Sequence, residues 1–315
     1  MVRNRAIYIF IAVQLVFSSA KVSGQQVSDT SFDPKIAIPT HPIGEGPRVY
    51  IDEGHHNFHT LDGRYSTFAN LLRAYGYQVD SRKGEITFEN LHGTDVLVIA
   101  NALNEFNVNN WSKPIHQAFS GSEIAAIKSW VAQGGSLFLI ADHMPFPGAV
   151  DSLASAFGFS VLDGFARDAV KIAKRVGGPD VFSIQEGTLS KHLAAQGKDN
   201  TQNVDSIATF GGQAFEIPDN AISLITLPDR FHILLPDTAW KFSPSTHSVN
   251  VGGFSQGAVL EFGKGRMALF GEAAMFSAQF SGKDKRPMGI NHPKAKGNIS
   301  FIRNILYWLT VVDKE

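Results

Sequence analysis

The sequence predicts an α/β domain built on a mostly parallel sheet with helices on both faces, interrupted by a β-rich insertion. Three observations predict it. Short apolar runs alternate with segments of helical periodicity from residue 48 to about 158. One run, Asp95-Val-Leu-Val-Ile-Ala100, is unbroken, as a strand buried on both faces requires. Residues 160–262 then lose the alternation and read as short strands between turn clusters.

Arg3 and Arg5 precede a run of apolar character, Ala6 to Phe17, too short to span a bilayer comfortably. Small residues follow, so the first 24 residues read as a signal peptide cut after Gly24. The expected location is secreted or periplasmic, with no membrane span after cleavage. Residues 25–46, with Pro34, Pro39 and Pro42, read as an extended leader. The domain is expected over residues 47–312, with the insertion at about 160–262.

Arg48–Asp52 is the first strand. Phe68, Leu71, Leu72 and Tyr75 then share one helix face, and Gly76 ends that helix. Tyr77 to Val79 is a second strand and Asp95 to Ala100 a third. Ser120 and Glu123 have capping-box spacing ahead of Ile124, Ile127 and Val131. Gly134-Gly135 stops that helix, and Ser136 to Ala141 is a fourth strand. A helix is expected from Ala149 to Phe157. Ala258–Phe262 and Arg266–Phe270 form a hairpin around Gly263-Lys-Gly265. Asn298 is expected to cap a last helix with Ile299, Ile302, Leu306 and Leu309 on one face.

Composition excludes some functions. The formal net charge is −1, with no basic stripe to neutralise phosphates, so nucleic acid is not an expected partner. The chain has no cysteine, which removes thiol catalysis and any Cys-ligated metal site.

Several pieces, in order, resemble a known superfamily. They are the strand leading into Asp52-Glu-Gly-His-His-Asn57, the strand ending Ile140-Ala-Asp-His143, and the closing Gly263-Lys-Gly-Arg-Met-Ala-Leu-Phe-Gly-Glu272. A helix ending Asn304-Ile-Leu-Tyr-Trp-Leu309 completes the set. The chain resembles the class I glutamine amidotransferase-like superfamily over residues 47–158 and 255–311. The branch is the one related to gliding-motility ABC auxiliary proteins and to the N-terminal domain of an intraflagellar-transport protein. That resemblance implies a flavodoxin-like sheet. It implies no particular reaction, and some members of the branch act as binding or scaffold modules. The catalytic cysteine of true amidotransferases is absent, so glutamine hydrolysis by that route is excluded.

Candidate chemistry gathers where strands end, because loops at the carboxyl ends of parallel strands line one crevice. Asp52, His55, His56 and His59 form a dense cluster after the first strand. Imidazole and carboxylate suit zinc or another divalent ion. Asp142 and His143 follow the fourth strand, and His292 lies before the last helix; with the first cluster these are the candidate metal ligands. Glu53 and Glu272 are the candidate general bases for a metal-bound water. The other readings are a loop in which Asp52 accepts backbone N–H groups, and a metal-free polar pocket. Residues 107–120, with Trp111, are a candidate lid. Gly253-Phe-Ser-Gln-Gly257 matches a serine-hydrolase pattern, but a strand follows it where that motif needs a helix. Two functions result: an exported metal-dependent hydrolase of an unknown small-molecule or polymer substrate, or a non-catalytic module that binds a ligand or protein on the same scaffold.

Overall fold

The computed structural model describes residues 26–199 and 202–311. The expected signal peptide therefore lies outside the described residues. Within the leader, Val27 and Ser28 pair antiparallel with Phe280 and Gln279, so this segment is docked on the domain.

The protein is a mixed α/β structure with several sheets. The largest contains β1 (Arg48–Asp52), β2 (Gln78–Arg82), β3 (Val96–Ala100) and β4 (Ser136–Ile140). A second group of short strands joins it: β5 (Ser160–Val161), β7 (Phe215–Glu216) and β8 (Ile222–Thr226). The hairpin β11 (Ser255–Phe262) and β12 (Gly265–Phe270) links the two groups. Strand order is β2-β1-β3-β4-β12-β11-β7-β5, with β8 also on β11. The β2-to-β12 half is parallel, and the remainder is antiparallel. The expected mostly parallel sheet is therefore corrected to a mixed one. The hairpin enters the sheet by its second strand, and its first strand, β11, then seeds antiparallel pairing with the insertion.

Alternation along the strands builds two cores. Val49, Ile51, Val96, Val98, Phe138, Ile140 and Phe270 face one way, against α1 (Ser66–Ala74) and the last helix, α4 (Asn298–Thr310). Leu97, Ile99, Leu137, Leu139 and Leu269 face the other way, against α2 (Gly121–Ala132) and α3 (Phe146–Ser155). Both faces are covered, which is why β3 and β4 are apolar without a break. The capping box at α2 forms as the spacing predicts: Ser120 accepts from the Glu123 N–H while Glu123 accepts from the Ser120 N–H. At α4 the expectation fails. Gly297 is the cap, and Asn298 instead binds the Ala208 N–H, the Ala208 carbonyl and the Met275 carbonyl. Buried contacts to two neighbouring segments outcompeted the local cap.

The insertion adds a separate three-stranded sheet, in which β9 (Phe231–Leu235) lies between β6 (Phe165–Asp168) and β10 (His247–Asn250). Its position brings Phe165 and the segment 236–247 over the carboxyl end of β4.

Candidate functional site

The parallel strands end side by side. Ala100, Ile140 and Phe270 are register partners, so Asn101, Asp142 and Glu272 emerge along one rim. Asn101 takes a left-handed φ of +52°, a conformation asparagine tolerates better than most residues. Its Oδ1 accepts the Asp142 N–H at 2.9 Å, and its Nδ2 donates to His59 Nδ1 at 3.1 Å. One side chain thus ties the first loop to the fourth.

His59 is buried beside Tyr65, with ring centroids 4.5 Å apart. Burial, then the charges of Arg64 and His143, lower its pKa to about 3, so the ring stays neutral near pH 7. Its Nδ1 lone pair is held by Asn101, and the Gln279 amide lies 3.5 Å from Nε2.

The other half of the cluster is a separate network. Asp52 accepts from the Gly54 N–H, from Asn57 Nδ2 and from His55 Nδ1 at 2.9 Å. His55 Nε2 donates to Glu123 Oε1 at 2.8 Å. Glu123 also accepts from the Ile86 N–H and from the Ser120 N–H and hydroxyl. The His55 ring packs 4.2 Å from Phe119. Burial pulls the His55 pKa down, but hydrogen bonding and charge from Asp52, then Glu123, outweigh it and hold the pKa above the ordinary value. A carboxylate oxygen faces each ring nitrogen, an arrangement that suits the protonated ring and leaves neither nitrogen turned toward the cleft.

The remaining predicted residues divide between rim and surface. His56 is exposed on the outer turn, with φ +46°. Glu53 accepts from the Leu61 N–H at 2.8 Å and faces Lys83 at 3.8 Å, so it braces the first loop. His292 Nδ1 accepts from the Lys294 N–H, and its ring packs 5.5 Å from Phe210. Glu272 is buried and accepts from the Ala274 and Met275 N–H groups at 2.8 and 2.7 Å. Burial, then the charge of Asp142, push its carboxyl well above the usual range. Asp142 and Glu272 are close enough to interact, and Tyr65, whose hydroxyl donates to the Ala273 carbonyl, feels both charges.

A metal requires three or more ligands converging with free lone pairs. Among the described residues no three His, Asp or Glu side chains form such a group. Within this group both nitrogens of His55 face carboxylates and His59 Nδ1 is taken by the Asn101 amide.

What the rim offers instead is an aromatic wall. His143 stacks on Phe165 at 4.7 Å and meets Trp240 edge-on at 4.6 Å. Its Nδ1 lies 2.7 Å from the Met144 carbonyl, which fixes the ring. Trp111 joins the wall 6.3 Å from His143 and 5.6 Å from Phe58. The expected lid segment is stapled to the insertion: the Ala239 N–H donates to the Trp111 carbonyl, and the Lys113 N–H to the Asp237 carbonyl. Trp240 stands 51% exposed with φ +67°, an uncommon geometry for a bulky residue. Arg64 lies 3.7 Å over Phe58, and Arg167 lies 5.6 Å from the Trp240 ring.

Sequence reading missed Asn101, Arg64, Tyr65, Phe165, Arg167 and Trp240. Asn101 was findable, because it directly follows the third apolar run at the rim where ligands bind. Trp240 and Arg167 carried no local signal, since only the insertion's tertiary position brings them to β4. Three cavities lie away from the carboxylate cluster, one of them, of about 490 Å³, beside Tyr50 and Arg73. One of about 850 Å³ opens at the opposite ends of the strands, among Asp95, Trp130, Ser136 and Gly265. One of about 440 Å³ adjoins the Trp240 segment, among Lys113, Lys241 and His247.

The sheet and its rim define a mixed α/β domain. No protein-family model matches the sequence, and no curated protein matches it. Among solved structures, the mmIFT52 N-terminal domain is similar at TM-score 0.58 and 15% identity, over 85% of this chain and 99% of that one. A ThuA-like protein from Bacteroides uniformis is similar at TM-score 0.47 and 12% identity, over 90% and 96%. A GMP synthase-like protein from Thermoplasma acidophilum is similar at TM-score 0.39 and 11% identity, over 82% and 92%. At these identities the likeness concerns the fold alone.

Proposed function

We propose that the chain is an exported ligand-binding module on a flavodoxin-like, amidotransferase-related scaffold. Its ligand is a small polar molecule, or the exposed unit of a polymer, carrying a ring. The observation that carries this reading is the half-exposed Trp240, which joins His143 and Phe165 in one wall beside Asp142. Ligands of open α/β sheets bind outside the carboxyl ends of the strands, and that is where the wall stands. Aromatic faces take the apolar side of a ring, while a few fixed polar groups set its orientation. The parallel strands follow the order second, first, third, fourth, fifth, which supports the flavodoxin-like reading. Export rests on the basic, apolar and small-residue succession of the first 24 residues.

Hydrolysis through a metal-bound water is the weaker reading, because it requires His55 to leave one of its two carboxylates. Glu272 is a poor substitute base, since backbone N–H groups hold both its oxygens. The test is a thermal-shift screen of mono- and oligosaccharides and other small polar metabolites on mature protein, repeated with Trp240→Ala and Asp142→Asn. Compounds that stabilise the parent and lose their effect in both variants are expected. A ligand whose effect survives both substitutions would place binding elsewhere and defeat the proposal.

A further inference from the structure

Resting on that binding reading, we infer that the ligand is an acidic saccharide, whose ring lies on Trp240 and whose carboxylate is read by Arg167. Arg167 follows Phe165 by two residues on β6, so the two side chains share a face of the strand. Its guanidinium lies 5.8 Å from Phe165 and 5.6 Å from Trp240. It is partly buried and feels the charges of Asp180 and Asp142, yet among the described residues it forms no hydrogen bond and no ion pair within 4 Å. Its Nη1 also adjoins Gly211. The next residue, Gly212, has φ +101°, and a Cβ there would collide with the Gly271 carbonyl oxygen. The guanidinium therefore sits beside the strand end that carries Glu272.

At the other end of the wall, Arg64 stacks on Phe58 and has a buried Nε without a partner. Arg64 already donates Nη1 to the Phe58 carbonyl, so Arg167 is the guanidinium at this wall with its donors unused, and such a fork binds carboxylates in bidentate fashion. Backbone N–H groups hold both oxygens of Glu272 but only Oδ1 of Asp142, which leaves Asp142 Oδ2 to accept ligand hydroxyls. Lys113, paired with Asp237, and Lys241 line the adjoining 440 Å³ depression past Trp240. A ring that offers C–H faces, hydroxyls and a carboxylate matches all three features.

The test is calorimetric titration of the mature protein with oligogalacturonates and oligomannuronates, and with the same oligomers after their carboxyls are reduced to neutral alcohols. Acidic oligomers are expected to bind at least about tenfold more tightly than the reduced ones, and less tightly as salt rises. Arg167→Gln is expected to weaken acidic binding about tenfold or more while melting like the parent, and Arg167→Lys to recover part of the loss. Trp240→Ala, at an exposed position, gives a second variant that does not depend on Arg167 folding normally. Equal affinity for acidic and reduced oligomers, both lost in Trp240→Ala, would overturn the acidic ligand and keep the cleft. Acidic binding indifferent to Trp240→Ala would overturn the cleft itself. Absence of binding by every acidic oligomer would overturn this inference alone.

Discussion

Replacing His55 with Ala separates a structural clamp from a ligand-binding histidine. In the parent, the His55, Asp52 and Glu123 side chains are at most 7% exposed, and the imidazolium donates to both carboxylates. Removing it leaves two buried carboxylates facing one another's space without their shared cation. Breaking a buried pair in this way typically costs about 3–5 kcal/mol, a large part of the roughly 5–15 kcal/mol of a whole domain. Linkage then gives the sign of the pH dependence. The folded pKa of His55 is raised, so its stabilisation is complete below the unfolded value near 6.5 and is lost as pH rises through the folded value. Glu123 behaves oppositely. Burial raises its pKa, but hydrogen bonds from Ser120, Ile86 and His55 outweigh that and lower it, so its contribution is lost as pH falls through the folded value. The penalty of His55→Ala should therefore be greatest near pH 5.5 and shrink toward pH 9, by about 1.4 kcal/mol for each unit the folded pKa exceeds 6.5. Urea unfolding of parent and variant at pH 5.5, 7 and 9 measures this. A penalty under about 1 kcal/mol at pH 5.5, or one that grows with pH, would mean that His55 is not clamped and remains available to a ligand.

Four other outcomes follow from the same contacts. Trp240→Gly should be more stable than Trp240→Ala by about 1 kcal/mol, because φ +67° costs glycine little; equal melting curves would remove the strain argument. Asp163 is largely buried and its pKa is raised to about 6, so its folded carboxyl resists ionisation and stability falls as pH rises from about 4 through 6. Asp163→Asn should accordingly stabilise the protein by about 1–2 kcal/mol at pH 8 and by nothing near pH 4, as read by thermal melts at both pH values. Gly212→Ala should destabilise by about 1–3 kcal/mol, because the new Cβ meets the Gly271 carbonyl at a positive φ; a neutral result in urea would contradict the close packing of that loop. Elemental analysis of untagged protein should find no stoichiometric zinc, and chelator treatment should leave the melting temperature unchanged; one zinc per chain would restore the metal reading.

The pattern of apolar runs made the parallel half of the sheet legible, since β1, β3 and β4 are continuous or alternating and lie between helices with clear stops. Ser120 and Glu123 announced the start of α2 because capping is local. The insertion was legible only as β-rich. Its strands β5 and β7 are two residues long; β7 pairs with β11, and β5 pairs with β7, each far away in sequence. The site was half legible. Composition showed a crowd of histidines after β1, and strand order correctly placed Asp142 and Glu272 on one rim. Spacing could not show that His55 would meet Glu123, 68 residues on, and so leave the cleft. Nor could it show that β6 would carry Phe165 and Arg167 to His143, because that contact exists only once β6 has paired with β9.

Fluorine NMR of 5-fluorotryptophan-labelled protein tests the cleft most directly. The four tryptophans divide between the cleft, with Trp111 and Trp240, and the rest of the molecule. Trp130 lines the cavity at the opposite ends of the strands, and Trp308 lies on α4. Any ligand that raises the melting temperature should shift the Trp240 and Trp111 resonances and leave those of Trp130 and Trp308 in place. Shifts confined to Trp130 or Trp308 would move the binding site away from the aromatic wall and contradict the account.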